Sequence, residues 1–218
     1  MLAGAADGGA QSAATDGEAR SGGGFFSVGV HHAGIGDLNR QLGGAGYPEF
    51  GRAMLSIGGG GYGLRAGRLM LGGEGYGLIT GENAVDGRSV SLQGGYGFFN
   101  VGYLTELSPE LAVYPMVGLG GGGVSLSIGP RGVPDSFDEV VTDPNRQVRM
   151  QRGGLLLSLG AGVEYALGGG DGMTVGVRAG YVIEPYSISW RMDGSVLGAG
   201  PNASTSGPFV RVTLGRTR

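Results

Sequence analysis

His31 and His32 are the only histidines of the chain, and they are adjacent. On an extended strand neighbouring side chains point to opposite faces, so the two imidazoles cannot chelate one metal ion. Either could be the base of a hydrolytic site. That site would need a serine and a carboxylate at hydrogen-bond distance, and no local motif marks them. Asp135, Asp138, Glu139 and Asp143 offer oxygen ligands of the kind Ca²⁺ accepts. Their spacing fits no binding-loop motif, and Arg131, Arg146, Arg149 and Arg152 share the stretch, so a solvated, self-paired loop is expected. Cysteine is absent, which removes disulfides, thiolate metal sites and a thiol nucleophile. The glycine runs are not phosphate loops, because no Gly-Lys-Ser/Thr follows them and no helix begins there. No catalytic residue, metal site or cofactor is therefore expected.

Six further charges stand inside strand-like segments: Arg52, Arg68, Glu74, Glu164, Arg178 and Arg211. Each shares its strand face with Gly, Ser or Thr, while the other face carries Val, Leu, Ile, Tyr or Phe. If the apolar face meets hydrocarbon, these charges are enclosed and must pair with one another. Four Arg and two Glu, with Tyr76 and Ser56 as further partners, form the expected lumen network. A hairpin turning on Gly63 would set Arg52 directly against Glu74, a cross-strand ion pair within the barrel.

The segments that carry these residues alternate with period two, the signature of half-buried strands. Eight are expected, over 24–34, 52–62, 66–79, 88–103, 111–128, 153–167, 173–183 and 208–215. On the first, Phe26, Val28 and Val30 share a face. On the fourth, Val90, Leu92, Tyr96 and Phe98 stand against Ser91, Gln93, Gly95 and Gly97. On the fifth, Leu111, Val113, Val117 and Leu119 share a face, and a phase shift near 121–124 suggests a bulge or the emergence of the hairpin from its layer. Glycine, 52 of 218 residues, lies mostly inside these strands. It weakens a strand, yet a tightly closed barrel needs small residues where the sheet bends. Repeated Gly-Tyr dipeptides (61–62, 75–76, 95–96, 102–103, 180–181) suggest rings lying over cross-strand glycines. Tyr165, Tyr181, Tyr96, Phe98, Phe99 and Tyr103, near strand ends, suit membrane interfaces.

Net charge is −3, and every basic residue is arginine. No long-range field points to nucleic acid, and no stacking aromatics sit among basic residues, so nucleic acid is not an expected partner. No apolar run approaches the length of a transmembrane helix. Residues 1–23 are rich in Ala, Gly, Ser and Asp and carry neither a basic n-region nor an apolar h-region. They are expected to form a flexible tail ahead of a barrel over 24–216.

The connections run long, short, medium, short, long, short, long. Eight strands joined this way place the short turns at one end and the longer loops at the other, as in barrels of the bacterial outer membrane. Over residues 24–215 the chain resembles the small eight-stranded outer-membrane barrels of the OmpA and OmpX type. The resemblance is one of layout and implies an all-β, eight-stranded antiparallel up-and-down barrel of the transmembrane type, in contact with outer-membrane lipid. The class usually ends on an aromatic, whereas this chain ends Leu214-Gly215-Arg216-Thr217-Arg218. The role expected is structural or surface-interacting and non-enzymatic, with a side-chain-filled lumen and possible outside contacts through 35–50, 129–152 and 184–207. Two other readings stay open: a soluble or secreted glycine-rich β-protein that self-assembles, and a membrane-embedded hydrolase using His31 or His32, since some outer-membrane barrels are hydrolases.

Overall fold

A computed structural model describes residues 22–81, 83–85, 87–130, 141, 147–168 and 172–217. Residues 1–21, the bulk of the expected tail, and the acids Asp135, Asp138, Glu139 and Asp143 lie outside the described residues. Eight long strands form the wall: β1 (Gly22–His32), β2 (Ala53–Arg65), β3 (Leu69–Ile79), β4 (Arg88–Tyr103), β5 (Leu111–Pro130), β6 (Val148–Leu167), β7 (Met173–Ser187) and β8 (Gly207–Thr217). Each pairs antiparallel with its sequence neighbour, and β1 pairs with β8 from Gly23↔Thr217 to His31↔Phe209, which closes the barrel. Closure removes every free edge.

Three short connections, 66–68, 104–110 and 168–172, lie at the end that holds Gly22 and Thr217. Four longer ones lie at the other, which we call the outer end. The first of these carries a single helix, α1 (Gly36–Gly44), with Leu38, Asn39 and Leu42 buried. The Asn39 amide fixes it by donating to the Phe50 carbonyl at 2.8 Å and accepting from the Phe50 N–H at 3.1 Å.

The large aliphatic and aromatic side chains of all eight strands form an outward belt that includes Phe26, Leu55, Phe99, Leu119, Leu159, Val177 and Val212. A belt of this extent far exceeds the apolar patches that water-soluble monomers tolerate. Tyr103, Tyr165 and Tyr181 also point outward. Tyr96 and Phe98 do not: the expected interface role of these two gives way to burial inside the barrel.

The interior is built in three tiers. Nearest the short turns, Met70, Leu104, Ala112 and Tyr114 close the lumen. The middle tier holds the charges described below. The upper tier is apolar again: Met54, Leu78, Leu92, Val124, Leu126 and Leu156 pack beneath Ile35, Leu38 and Leu42 of the first excursion and Trp190 of the last. This upper tier overturns the expected orientation of β4, whose apolar face (Val90, Leu92, Tyr96 and Phe98) turns inward. The expected bulge near 121–124 is absent too, for the same reason. Val124 and Leu126 keep the inward parity of Ala112 and Tyr114, and both ladders of β5 run unbroken past them. The register shift falls instead opposite Leu155 and Leu157 of β6, beside Pro185 of β7, which has no N–H for the ladder.

Rings over glycines set the wall spacing. Gly58, Gly72, Gly122, Gly162 and Gly180 lie directly across the ladder from Tyr76, Tyr62, Tyr96, Tyr114 and Phe209. A Cβ on any of them would come within 2.8 Å of its partner's side chain. The Gly-Tyr dipeptides thus divide: Tyr62, Tyr76 and Tyr96 cover glycines inside, whereas Tyr103 and Tyr181 face out.

Gly122→Ala should cost about 1–3 kcal/mol, because the new methyl meets backbone and Cβ of Tyr96 that have no room to retreat. Gly75→Ala, outward with its nearest neighbour at 3.7 Å, should stay within about 0.5 kcal/mol of the parent. Urea unfolding from lipid vesicles, followed by the fluorescence of the single tryptophan, Trp190, checks both.

Candidate functional site

Among the described residues, buried ionisable groups converge in the charged middle tier. Glu74 of β3, Glu164 of β6, Arg178 of β7 and Arg211 of β8 all take the inward parity of their strands and are buried. Arg178 is shared between the two carboxylates: Nη1 donates to Glu74 Oε2 at 3.2 Å and Nη2 to Glu164 Oε1 at 3.3 Å. Its Nε donates to the Tyr114 hydroxyl at 2.7 Å. The Phe25 ring covers the guanidinium at 3.8 Å.

The carboxylates are met by phenols as well. Tyr76 donates to Glu74 Oε2, Tyr62 to Glu164 Oε2 and Tyr114 to Glu164 Oε1, each at 3.0 Å. A buried carboxylate is tolerated only with this kind of saturation, since desolvation costs several kcal/mol per ion.

Arg211 is held differently. Its guanidinium lies between the rings of Tyr76 and Phe209, at 3.6 and 3.9 Å from their centroids. It donates to Ser56 Oγ at 3.2 Å and to the Tyr96 hydroxyl. Among the described residues no ion pair involves it, so ring faces and hydroxyls carry the solvation of this cation. The Tyr96 hydroxyl in turn donates to His31 Nδ1 at 3.1 Å, and His31 Nε2 donates to the Thr205 carbonyl at 2.7 Å. One connected polar column thus runs from Glu164 through Arg178, Glu74, Tyr76, Arg211 and Tyr96 to His31.

Two of the six charges expected in the network stand elsewhere. Arg68 lies in the turn between β2 and β3, exposed, with Nη1 3.4 Å from the Tyr103 hydroxyl. Arg52 precedes β2 and is exposed at the outer end. The expected Arg52–Glu74 pair does not form, because the hairpin turns at Ala66-Gly67 rather than Gly63, and Gly60 stands opposite Glu74. Ala66 and Gly67 have φ of +50° and +69°, the two left-handed residues that a tight hairpin requires. The backbone at Gly63-Leu64 stays extended and paired.

Ser56 and Tyr76 join the site as expected; it also holds residues that charge counting passed over: Phe25, Tyr62, Tyr96, Tyr114 and His31. Their signal was parity, since each shares the inward phase of its strand. The histidines do point apart, His31 inward and His32 outward. Both ring nitrogens of His31 are engaged, and the residue is fully buried, so no substrate reaches it. Among the described residues no group of His, Asp or Glu is placed to hold a metal ion. The arrangement neutralises two cations with two anions and fills the lumen.

No family model and no curated protein matches this chain. Among solved structures it aligns with the crystal structure of the N-terminal β-barrel domain of Pseudomonas aeruginosa OprF, with 12% identity, a TM-score of 0.42, and coverage of 91% of this chain and 98% of that one.

Arg178→Met should destabilise the barrel by about 3–5 kcal/mol, because it leaves Glu74 and Glu164 buried without a counter-charge. Adding Glu74→Gln and Glu164→Gln to that variant should recover a large part of the loss. Urea midpoints of the single and triple variants decide the matter. A triple variant weaker than the single one would show that the carboxylates are held by the phenols and not by Arg178.

Proposed function

We propose that this chain is an integral outer-membrane β-barrel with a structural or surface-interaction role and no enzymatic activity, its barrel domain preceded by a flexible tail. The observation that carries the reading is the inversion of the barrel: apolar side chains face out on every strand, and Glu74, Glu164, Arg178 and Arg211 are sealed within. A water-soluble barrel has the opposite arrangement. The asymmetry of short turns and longer excursions supports the outer-membrane location. A filled lumen supports the absence of bulk diffusion: the charged tier is closed below by Met70 and Leu104 and above by Leu92, Leu126 and Leu156. The segments we assign to contact with an outside partner are 35–50, 129–152 and 184–207.

The protein should remain monodisperse only in detergent or lipid, and the folded form should migrate differently from the boiled form on a denaturing gel. It should give no steady ion conductance in planar bilayers. Monodispersity in plain buffer would favour the self-assembling soluble protein. Ester- or lipid-cleaving activity lost in His31→Ala or His32→Ala would favour the hydrolase.

A further inference from the structure

The glycines of the wall fall into two populations. Most of those facing inward sit against side chains or backbone across the ladder and have little room for a Cβ. Five outward ones on β3 to β5 are different. A Cβ on Gly73, Gly75, Gly77 or Gly121 would meet nothing nearer than 3.5 Å, and on Gly97 nothing nearer than 3.4 Å. None of these has a positive φ. Neither packing nor backbone geometry within this chain asks for glycine there, yet glycine weakens a strand. Gly75, Gly97 and Gly121 lie in one ladder row, which Gly59 extends, and Gly77 begins the next, which continues through Gly95, Gly123 and Gly153. On Gly59, Gly95, Gly123 and Gly153 a Cβ would crowd the neighbouring backbone at 3.2 Å or closer. Over this area the outer wall is recessed by the depth of a side chain, while the belt around it keeps its Leu, Val and Phe.

The recess has a polar margin. One row further toward the outer end stand Gln93, Ser125, Gln151 and Arg191, aligned across the ladder. Together with Gly95, Gly123 and Gly153 they line a cavity of about 530 Å³, flanked by Ile188. Ser125 Oγ is buried and has no hydrogen-bond partner among the described residues. Arg191 is exposed, and among the described residues no ion pair involves it. A cation, two amides and a free hydroxyl thus meet above a smooth apolar floor, at the level where the outward belt gives way to polar side chains.

We propose that this recess is a fixed seat for one membrane lipid with an anionic phosphate headgroup. The phosphate sits at Arg191 with Gln93, Gln151 and the Ser125 hydroxyl. One acyl chain lies along the glycine floor, where the missing side chains give it closer contact with the wall than anywhere else on the belt. The proposal rests on the membrane reading above. A second copy of the chain fits the recess less well. A two-fold contact would set concave surface against concave surface and bring two Arg191 together with no carboxylate on the patch to pair them.

The test inserts the protein into nanodiscs of phosphatidylcholine with a minority of phosphatidylglycerol and reads retained lipid by native mass spectrometry. The parent should keep one phosphatidylglycerol per barrel. Arg191→Gln should lower that retention roughly tenfold. Gly97→Leu and Gly121→Leu, which fill the floor without touching the margin, should lower it as well, and Leu159→Val, elsewhere on the belt, should not. Retention unchanged in Arg191→Gln overturns the headgroup site. Inorganic phosphate alone protecting Arg191 from phenylglyoxal as well as the lipid does overturns the acyl floor. Glycine variants that change the oligomeric state while lipid retention holds would assign the face to a second copy. Normal insertion without retention overturns the seat alone, whereas failure to insert overturns the membrane reading with it.

Discussion

The fold depends on a size match across the ladder. Eight strands leave an interior just wide enough for side chains, so each large ring or charge of the middle tier has a glycine directly across the ladder on one of its two neighbouring strands. Tyr76 faces Gly58, Tyr96 faces Gly122, Tyr114 faces Gly162 and Phe209 faces Gly180. Glu74 likewise faces Gly60, and Glu164 faces both Gly176 and Ala112. Glycine inside these strands carries its usual conformational cost. That cost is offset by the rings that replace the missing side chains and shield the paired backbone.

The same match places the charges. Arg178 reaches two carboxylates, on strands β3 and β6, with its guanidinium 3.8 Å from the Phe25 ring and 5.2 Å from that of Tyr114. Two Arg against two Glu leave the tier neutral, and apolar tiers on both sides keep water from competing with its hydrogen bonds. In that environment each bond is stronger than in water, and each unpaired group would be far more costly. The column is therefore stable as a whole and intolerant of partial removal.

Much of this was legible in the sequence, and the limits are physical. Alternation with period two gave eight strands near their observed bounds, and loop lengths gave the two ends. Parity also grouped Glu74, Glu164, Arg178 and Arg211 with small residues, and the structure sets those four inside. Period two says which residues share a face but not which face is in. It failed on β4, where Val90, Leu92, Tyr96 and Phe98 read as a lipid face although the upper lumen is itself apolar. It failed again at Val124 and Leu126, where a change from polar to apolar contents within one lumen looked like a change of phase. Arg52 and Arg68 were misplaced because they stand just beyond strand ends, where parity has no meaning. The hairpin register depended on which of several glycines takes a left-handed φ, and Ala66-Gly67 carries no strong turn signal.

The outer excursions follow from the upper tier. Ile35, Leu38, Leu42 and Trp190 are drawn down onto Leu92, Leu126 and Leu156, and the Trp190 indole N–H is satisfied by the Pro201 carbonyl at 2.8 Å. Apolar residues that a loop would otherwise expose are thus used to seal the mouth. The polar side of these segments, with Arg40, Gln41 and Asn202 among it, stays exposed. A barrel closed in this way separates its two surfaces by chemistry. The wall presents aliphatic and aromatic side chains, and the outer end presents polar ones, with the charged tier isolated from both.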